Sequence, residues 1–216
     1  MSRRFDYCPR CATPFTCRVI NDRERMVCPS CHFIFWQNPV VGVAIIVIDN
    51  DRIILGRRAR GVYKGAWCIP CGYVEYDEDV RHAAQREFQE ETGLLVEVGE
   101  VYTVHSNFHN PAMHSVGIWF RGTVRGGVLQ AADDVDEVAY VALNDLPANI
   151  AFPTDRLVLE QLQRDIYGMS SIIKRPYDRL RGIRTTKTLK GREAGFGKSH
   201  PARDGQQAMG ESLRPI

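Results

Sequence analysis

Long apolar runs are what this chain has least of. The longest, Val40 to Ile48, covers nine residues, and a membrane-spanning helix needs about 20, so no such helix is expected. The opening residues, Met1-Ser2-Arg3-Arg4-Phe5-Asp6, carry two arginines with no apolar stretch behind them, and so do not read as a secretory signal. No internal repeat is found. Cysteines number seven and fall mainly in Cys-x-x-Cys pairs, which in a chain without a signal point to metal binding and not to disulfides. The cytoplasm is the compartment these features favour. Net charge is also scarce, at +2, but it hides an asymmetry. From Ile172 onward eleven basic side chains face four acidic ones, giving +7 and leaving −5 on residues 1–171. An acidic body with a basic tail suits a cation-using enzyme better than a nucleic-acid binder.

What is present divides into three segments. Residues 1–37 hold four cysteines and little apolar mass; 38–168 alternate strand-like and helix-like patterns; 169–216 are basic, rich in Gly, Pro and Thr, and read as a disordered tail. In the middle segment, Val40–Ile48 is a β-branched run between Pro39 and Asp49-Asn50-Asp51, a buried strand followed by a turn. Arg52–Arg57 returns as its hairpin partner. Val80, Ala84 and Phe88 recur every four residues, with Asp77 placed to cap a helix and Gly93 to end it. Strands follow around 96–104, 116–124 and 138–143. Leu157, Leu159, Leu162 and Ile166 suggest a closing amphipathic helix of about 14 residues. Strands interleaved with helices make an α/β layered domain.

Cys8-Pro9-Arg10-Cys11 and Cys28-Pro29-Ser30-Cys31 are two knuckles sixteen residues apart. Each turns two thiolates toward one ion, and a hairpin between them closes a tetrahedral Cys₄ zinc site. Such a small segment leans on its metal, because structural zinc supplies roughly 10–16 kcal/mol of apparent binding energy. Four thiolates leave no open position, so the ion is structural. Phe5, Phe15, Phe33 and Phe35 are expected to dock this ribbon onto the catalytic domain or a second subunit. Contact of Arg10, Arg18, Arg23 and Arg25 with nucleic acid is the less favoured reading. Cys17 is expected to be a buried free thiol, and Cys68-Ile69-Pro70-Cys71 to pack structurally, a second metal or redox pair being the less favoured reading.

Glu87, Glu90 and Glu91 stand at i, i+3 and i+4, so a helix projects all three carboxylates from one face. Like charges in that array repel, and the array makes sense if divalent cations sit there. Mg²⁺ takes hard oxygen ligands and bridges to substrate phosphates. A merely solvated acidic face would not account for the Gly and Glu placed upstream. Gly72, Glu78, Arg86, Glu87, Phe88, Glu90, Glu91, Gly93 and Leu94 fill every fixed position of G-x5-E-x7-R-E-U-x-E-E-x-G-U, where U is bulky and apolar.

That pattern resembles the Nudix box, over about residues 38–168. The resemblance implies an α/β/α sandwich with a mixed sheet, here behind a zinc ribbon. It implies Mg²⁺ or Mn²⁺ held by Glu87, Glu90, Glu91 and the carbonyl of Gly72, with Arg86 orienting the carboxylates and Glu78 bracing the loop. The implied reaction is water attack on a diphosphate phosphorus. Glu90, Glu87 or Glu137 would be the general base. Many relatives dimerise, so a homodimer is the default. The sequence departs from the usual Pro-Gly-Gly or Pro-Ala-Gly in reading Pro70-Cys71-Gly72, which touches only the fine geometry of the loop.

A ribbon ahead of such a domain resembles two branches. The NADH-directed one carries S-Q-P-W-P-F-P after the box, which is missing from Val101–Pro111. The other, with Gln37-Asn38-Pro39 leading into the first strand, resembles FAD and ADP-ribose pyrophosphatases, whose products would be AMP with FMN or ribose 5-phosphate. Tyr73, Phe108, His109, Trp119 and Phe120 are candidates to stack on a substrate ring, and His105, His109 and His114 to reach phosphate. Two rival readings stay open: a nucleotide-sensing regulator or nucleic-acid-binding protein using ribbon and tail, and an RNA cap-removing enzyme.

Overall fold

The computed structural model describes residues 5–168; the basic tail expected at 169–216 lies outside the described residues. The N-terminal part is a three-stranded antiparallel sheet of β1 (Thr16–Ile20), β2 (Arg23–Val27) and β3 (Ile34–Phe35). Asn21 and Asp22 both take positive φ (50° and 58°), which makes the tight two-residue turn a β1–β2 hairpin needs. Beneath it Cys8, Phe15 and Cys28 are buried, with Met26, Phe33 and Phe35 packed on them. Phe5 meets Phe35 edge-on at 5.1 Å. The phenylalanines expected to dock the ribbon elsewhere thus pack against one another, because so small a segment must build its own core around its cysteines. Cys17 is exposed and not buried, since β1 turns most of its side chains to solvent.

The body contains β4 (Val40–Ile46), β5 (Ile48–Asp49), β6 (Arg52–Arg58), β7 (Trp67–Cys68), β8 (Cys71–Tyr73), α1 (Val80–Thr92), β9 (Leu94–Asn107), β10 (Ser115–Gly127), β11 (Val135–Ala142) and α2 (Pro153–Tyr167). One sheet runs β8-β4-β10-β9 and is mixed, with β10 parallel to β4 and antiparallel to β9. The other runs β11-β6-β5, antiparallel, with β7 on β6. The expected hairpin is therefore real only at its tip. Ile48–Asp49 pairs with Arg52–Ile53, whereas Val40–Ile46 pairs with β10 and β8. At Val47 the chain leaves one sheet for the other, a step that a continuous apolar run conceals.

That run is apolar because both of its faces are covered. Val43, Ile45 and Val47 pack with Ala83, Ala84 and Phe88 of α1. Ala44 and Ile46 pack with Val158, Leu159 and Leu162 of α2. Ile54 on one side of β6, and Ile53 and Leu55 on the other, repeat the division. The architecture is an α/β/α sandwich with a mixed sheet. On α2 the buried face is Thr154, Asp155, Val158, Leu159 and Leu162. Ile166, expected on that stripe, is exposed because it falls in the last turn, beyond the edge of the core. Among the described residues no helix is long and apolar enough to cross a membrane.

Candidate active site

The site begins where β8 leaves the sheet. Gly72 pairs with Val43, and an added Cβ there would lie 1.9 Å from Glu87 Cδ. Only glycine lets the Glu87 carboxylate come this close to the loop backbone. Helix α1 then starts at Val80, two residues later than a cap at Asp77 would place it. Asp79 is the N-cap, its carboxylate accepting from Arg81 N at 2.9 Å, because Glu78 is held in the loop by Arg86. Gly93 ends the helix in the left-handed conformation, φ 72°.

Arg86 is the hub of the carboxylates. Its Nε and Nη2 donate to Glu78 at 2.8 Å each, its Nη1 to Glu87 (2.8 Å) and Glu90 (3.1 Å), and Nη2 also to the Tyr73 carbonyl (3.2 Å). The guanidinium holds the Glu78 carboxyl down to about 2, while the three carboxylates raise Arg86 further. Burial pushes the Glu87 carboxyl up, against the pull of Arg86. The three box glutamates are not equivalent. Glu90 is half exposed, but Glu91 is 1% exposed, because it stands three residues from Phe88 on the buried flank of the helix. Its Oε2 accepts from Cys71 N at 2.9 Å, and Asp134 stands beside it. Burial holds the Glu91 carboxyl well above the usual range. A buried carboxylate with a second one at its side is costly unless a cation meets it. Hard oxygens on Glu87 and Glu91, the glycine cradle and a solvent-facing Glu90 fit Mg²⁺, which keeps several waters.

Beside this loop opens a cavity of about 700 Å³, into which Gly72, Glu87, Arg58, Asp134, Trp119 and Asp155 all face. Of the expected site residues only Gly72 and Glu87 line it. Glu137 does not: it sits on β11 in an ion pair with Arg57 at 2.6 Å. Of the proposed stacking residues, Tyr73, His109 and Trp119 line the cavity. Phe120 is a core residue of the α1 side, and Phe108 is exposed and packs on His114 at 5.1 Å. His105 is edge-on to Trp119 at 5.6 Å. Sequence reading missed Asp155 and Arg58. Asp155 is buried at the start of α2, accepts from Ile69 N (3.0 Å) and Trp119 Nε1 (3.3 Å), and burial pushes its carboxyl up to about 7. In the sequence it looks like any acid in a first helical turn. Arg58 pairs with Asp134 at 2.8 Å, a contact between residues far apart in the chain.

The four N-terminal cysteines converge apart from this site. Their sulfurs all lie within 4.8 Å of one another, Cys8–Cys31 at 3.6 Å and Cys11–Cys28 at 3.4 Å. A disulfide needs about 2.05 Å, whereas the edge of a zinc–thiolate tetrahedron with bonds of about 2.3 Å is roughly 3.8 Å. The cluster has the dimensions of one ion.

Three carboxylates on one loop-and-helix unit, with Glu87 and the Gly72 cradle facing a ligand-sized cavity in an α/β/α sandwich, suit a metal-dependent hydrolase. A family model, the NUDIX domain, matches residues 38–162. An ADP-ribose pyrophosphatase of Methanocaldococcus jannaschii is 35% identical over 129 residues, 59% of this chain and 76% of that protein. A MutT-like protein of Streptomyces ambofaciens is 32% identical over 112 residues, 51% of this chain and 69% of that one. A NUDIX hydrolase structure from Nitrosomonas europaea matches with a TM-score of 0.68 at 28% identity, covering 76% of this chain and 94% of that one. The chain belongs to the Nudix hydrolases.

Proposed function

We propose that this Nudix hydrolase uses Mg²⁺ to cleave the diphosphate of a nucleoside diphosphate linked to a second group, ADP-ribose or FAD, releasing AMP. The observation that carries the reading is the cradle in which Gly72 and Glu87 meet at the cavity wall. Similarity to a relative named as an ADP-ribose pyrophosphatase supports the substrate class. In this reading Glu87, Glu91, Glu90 and the Gly72 carbonyl hold Mg²⁺ or Mn²⁺. When bound there, such an ion would lower the pKa of a water and offset charge on the leaving phosphate. Arg86 keeps Glu87 and Glu90 in place, and Glu78 braces the loop through Arg86. A water oxygen attacks phosphorus, the anhydride P–O bond breaks, and the water's proton passes to a carboxylate. Glu87, with Glu90 beside it on Arg86, takes precedence over Glu137 as that acceptor, since Glu87 lines the cavity and Glu137 does not. The second residue group, Cys8, Cys11, Cys28 and Cys31, holds structural Zn²⁺ in a ribbon over residues 1–37 ahead of the Nudix domain. Free thiols that ligate a metal instead of pairing as disulfides suit reducing surroundings such as the cytoplasm.

The test offers ADP-ribose, FAD, NADH and capped RNA separately, with Mg²⁺, to the wild type and to Glu91→Gln, and resolves the products by chromatography. AMP from ADP-ribose or FAD, lost in the variant, is the expected result. Cleavage of capped RNA alone would replace the substrate. Binding of nucleotide without cleavage of any of the four would make the protein a sensor. Gel filtration with light scattering would decide whether it works as a homodimer.

A further inference from the structure

We propose that Tyr63, His109 and Phe152 form a subsite that takes the planar aromatic ring of the nucleotide, in the same cavity that the carboxylate loop faces. The inference rests on the hydrolase reading for its substrate class, but its own evidence is separate. The three rings come from three distant segments: the β6–β7 turn, the β9–β10 loop and the residue that precedes α2. They converge with centroids 5.2 Å apart for Tyr63–Phe152, 5.9 Å for His109–Phe152 and 6.2 Å for Tyr63–His109. None belongs to either hydrophobic core. Tyr63 and Phe152 are half-buried and His109 is exposed, so the cluster contributes little to the interior. All three instead line the cavity that also holds Gly72 and Glu87.

Their geometry suits a planar guest. No pair is stacked face to face, the interplanar angles being 72°, 69° and 39°, so ring faces remain for a ligand. Tyr63 is presented by a fixed turn. Gly61 and Gly65 flank it at φ 78° and 79°, Ala66 N donates to the Tyr63 carbonyl at 3.0 Å, and Asn149 Nδ2 donates to the Gly65 carbonyl at 2.8 Å. Arg58 touches both groups of residues. Its guanidinium lies 5.5 Å from the Phe152 centroid and pairs with Asp134, beside Glu91. A cation between an aromatic cluster and a carboxylate cluster is placed for a diphosphate whose base lies on the rings. A second observation also points to a ligand. Asn107 lines the same cavity, and its Oδ1 is buried with no hydrogen-bond partner among the described residues. A buried acceptor without a donor is rare, and a base with an amino or ring N–H would satisfy it once the amide turned toward the cavity.

The experiment is calorimetric titration of the full chain with AMP, FMN and ribose 5-phosphate. None of these has an anhydride, so nothing is turned over. The proteins are wild type, His109→Ala, Tyr63→Leu and Phe152→Leu, each checked by thermal melting. His109 is exposed, so its variant tests the idea even if Phe152→Leu unfolds. Expected is a weakening of about tenfold for AMP or FMN, the range for losing one stacked ring, with ribose 5-phosphate unchanged. Loss confined to AMP assigns adenine to the subsite, and loss confined to FMN assigns the isoalloxazine. Unchanged binding, equal loss for ribose 5-phosphate, or no binding of either ring-bearing ligand by the wild type overturns the proposal. Intact AMP binding without hydrolysis of any substrate would sink the enzymatic reading and leave this one standing.

Discussion

Arg86 shows how much one side chain carries here. Three carboxylates accept from it, so removing it leaves Glu87 and Glu90 to repel each other and frees Glu78 from the loop. Arg86→Gln should lower kcat by about 10–100-fold, the usual cost of losing a residue that orients metal ligands, with a matching loss of Mg²⁺ affinity. A Mg²⁺ titration of the rate checks it, and an unchanged activation curve would contradict it. Asp155 makes a different prediction. Burial raises its folded pKa to about 7 from an ordinary 3.8, so the folded state binds the proton more tightly than the unfolded one. Its stabilising contribution is complete below about pH 4 and is lost as pH rises through about 7. A shift of this size corresponds to roughly 4 kcal/mol at most. Asp155→Asn, melted from pH 4 to 8, should show a flatter Tm profile than the wild type. At this scale legibility followed spacing. Glu87, Glu90 and Glu91 were readable because a helix fixes their relation, but Asp155 and Arg58 owe their roles to partners far away in the chain, which no local pattern encodes.

Elements were legible where one face dominates. The four-residue recurrence of Val80, Ala84 and Phe88 marks α1 because its inner face is continuous, and Gly93 marks its end because only a left-handed residue fits. Beyond φ 72°, a Cβ at Gly93 would lie 2.5 Å from the Val128 carbonyl oxygen, so Gly93→Ala should destabilise by more than the approximately 1 kcal/mol of an ordinary left-handed cap. Phe88, fully buried between α1 and β4, should cost about 3–5 kcal/mol when cut to Ala. Urea unfolding measures both, and a Phe88→Ala loss below about 1 kcal/mol would mean that this core is not what seats the carboxylate helix. Partnership between elements was less legible. Nothing in Val40–Ile48 distinguishes a strand that pairs forward from one that changes sheets, because both faces of the run are apolar in either case. The cap of α1 was misplaced for a similar reason: Asp77 and Asp79 are equal candidates until Arg86 claims Glu78.

At the scale of the whole molecule, the cysteines divide the chain into parts that can be counted. The ribbon's buried cluster of Cys8, Phe15 and Cys28 is separate from the two cores of the sandwich, so its order should depend on the metal and that of the sandwich should not. Of seven thiols, Cys17 is exposed and outside the cluster, Cys68 is buried, and contact with Cys68 together with burial holds the Cys71 thiol well above its usual range. Low thiolate content makes such a group slow to react. A thiol reagent should therefore find one fast group in the zinc-loaded protein, Cys17. Chelation should release one zinc per chain and expose four more, and denaturation should bring the total to seven. Trypsin should then cut the β1–β2 hairpin at Arg18, Arg23 or Arg25 only after chelation, while the Tm of the sandwich holds. If chelation instead melts the whole protein, the ribbon is part of the sandwich's stability and not an appended module. Five fast thiols before chelation would mean that Cys8, Cys11, Cys28 and Cys31 hold no ion at all.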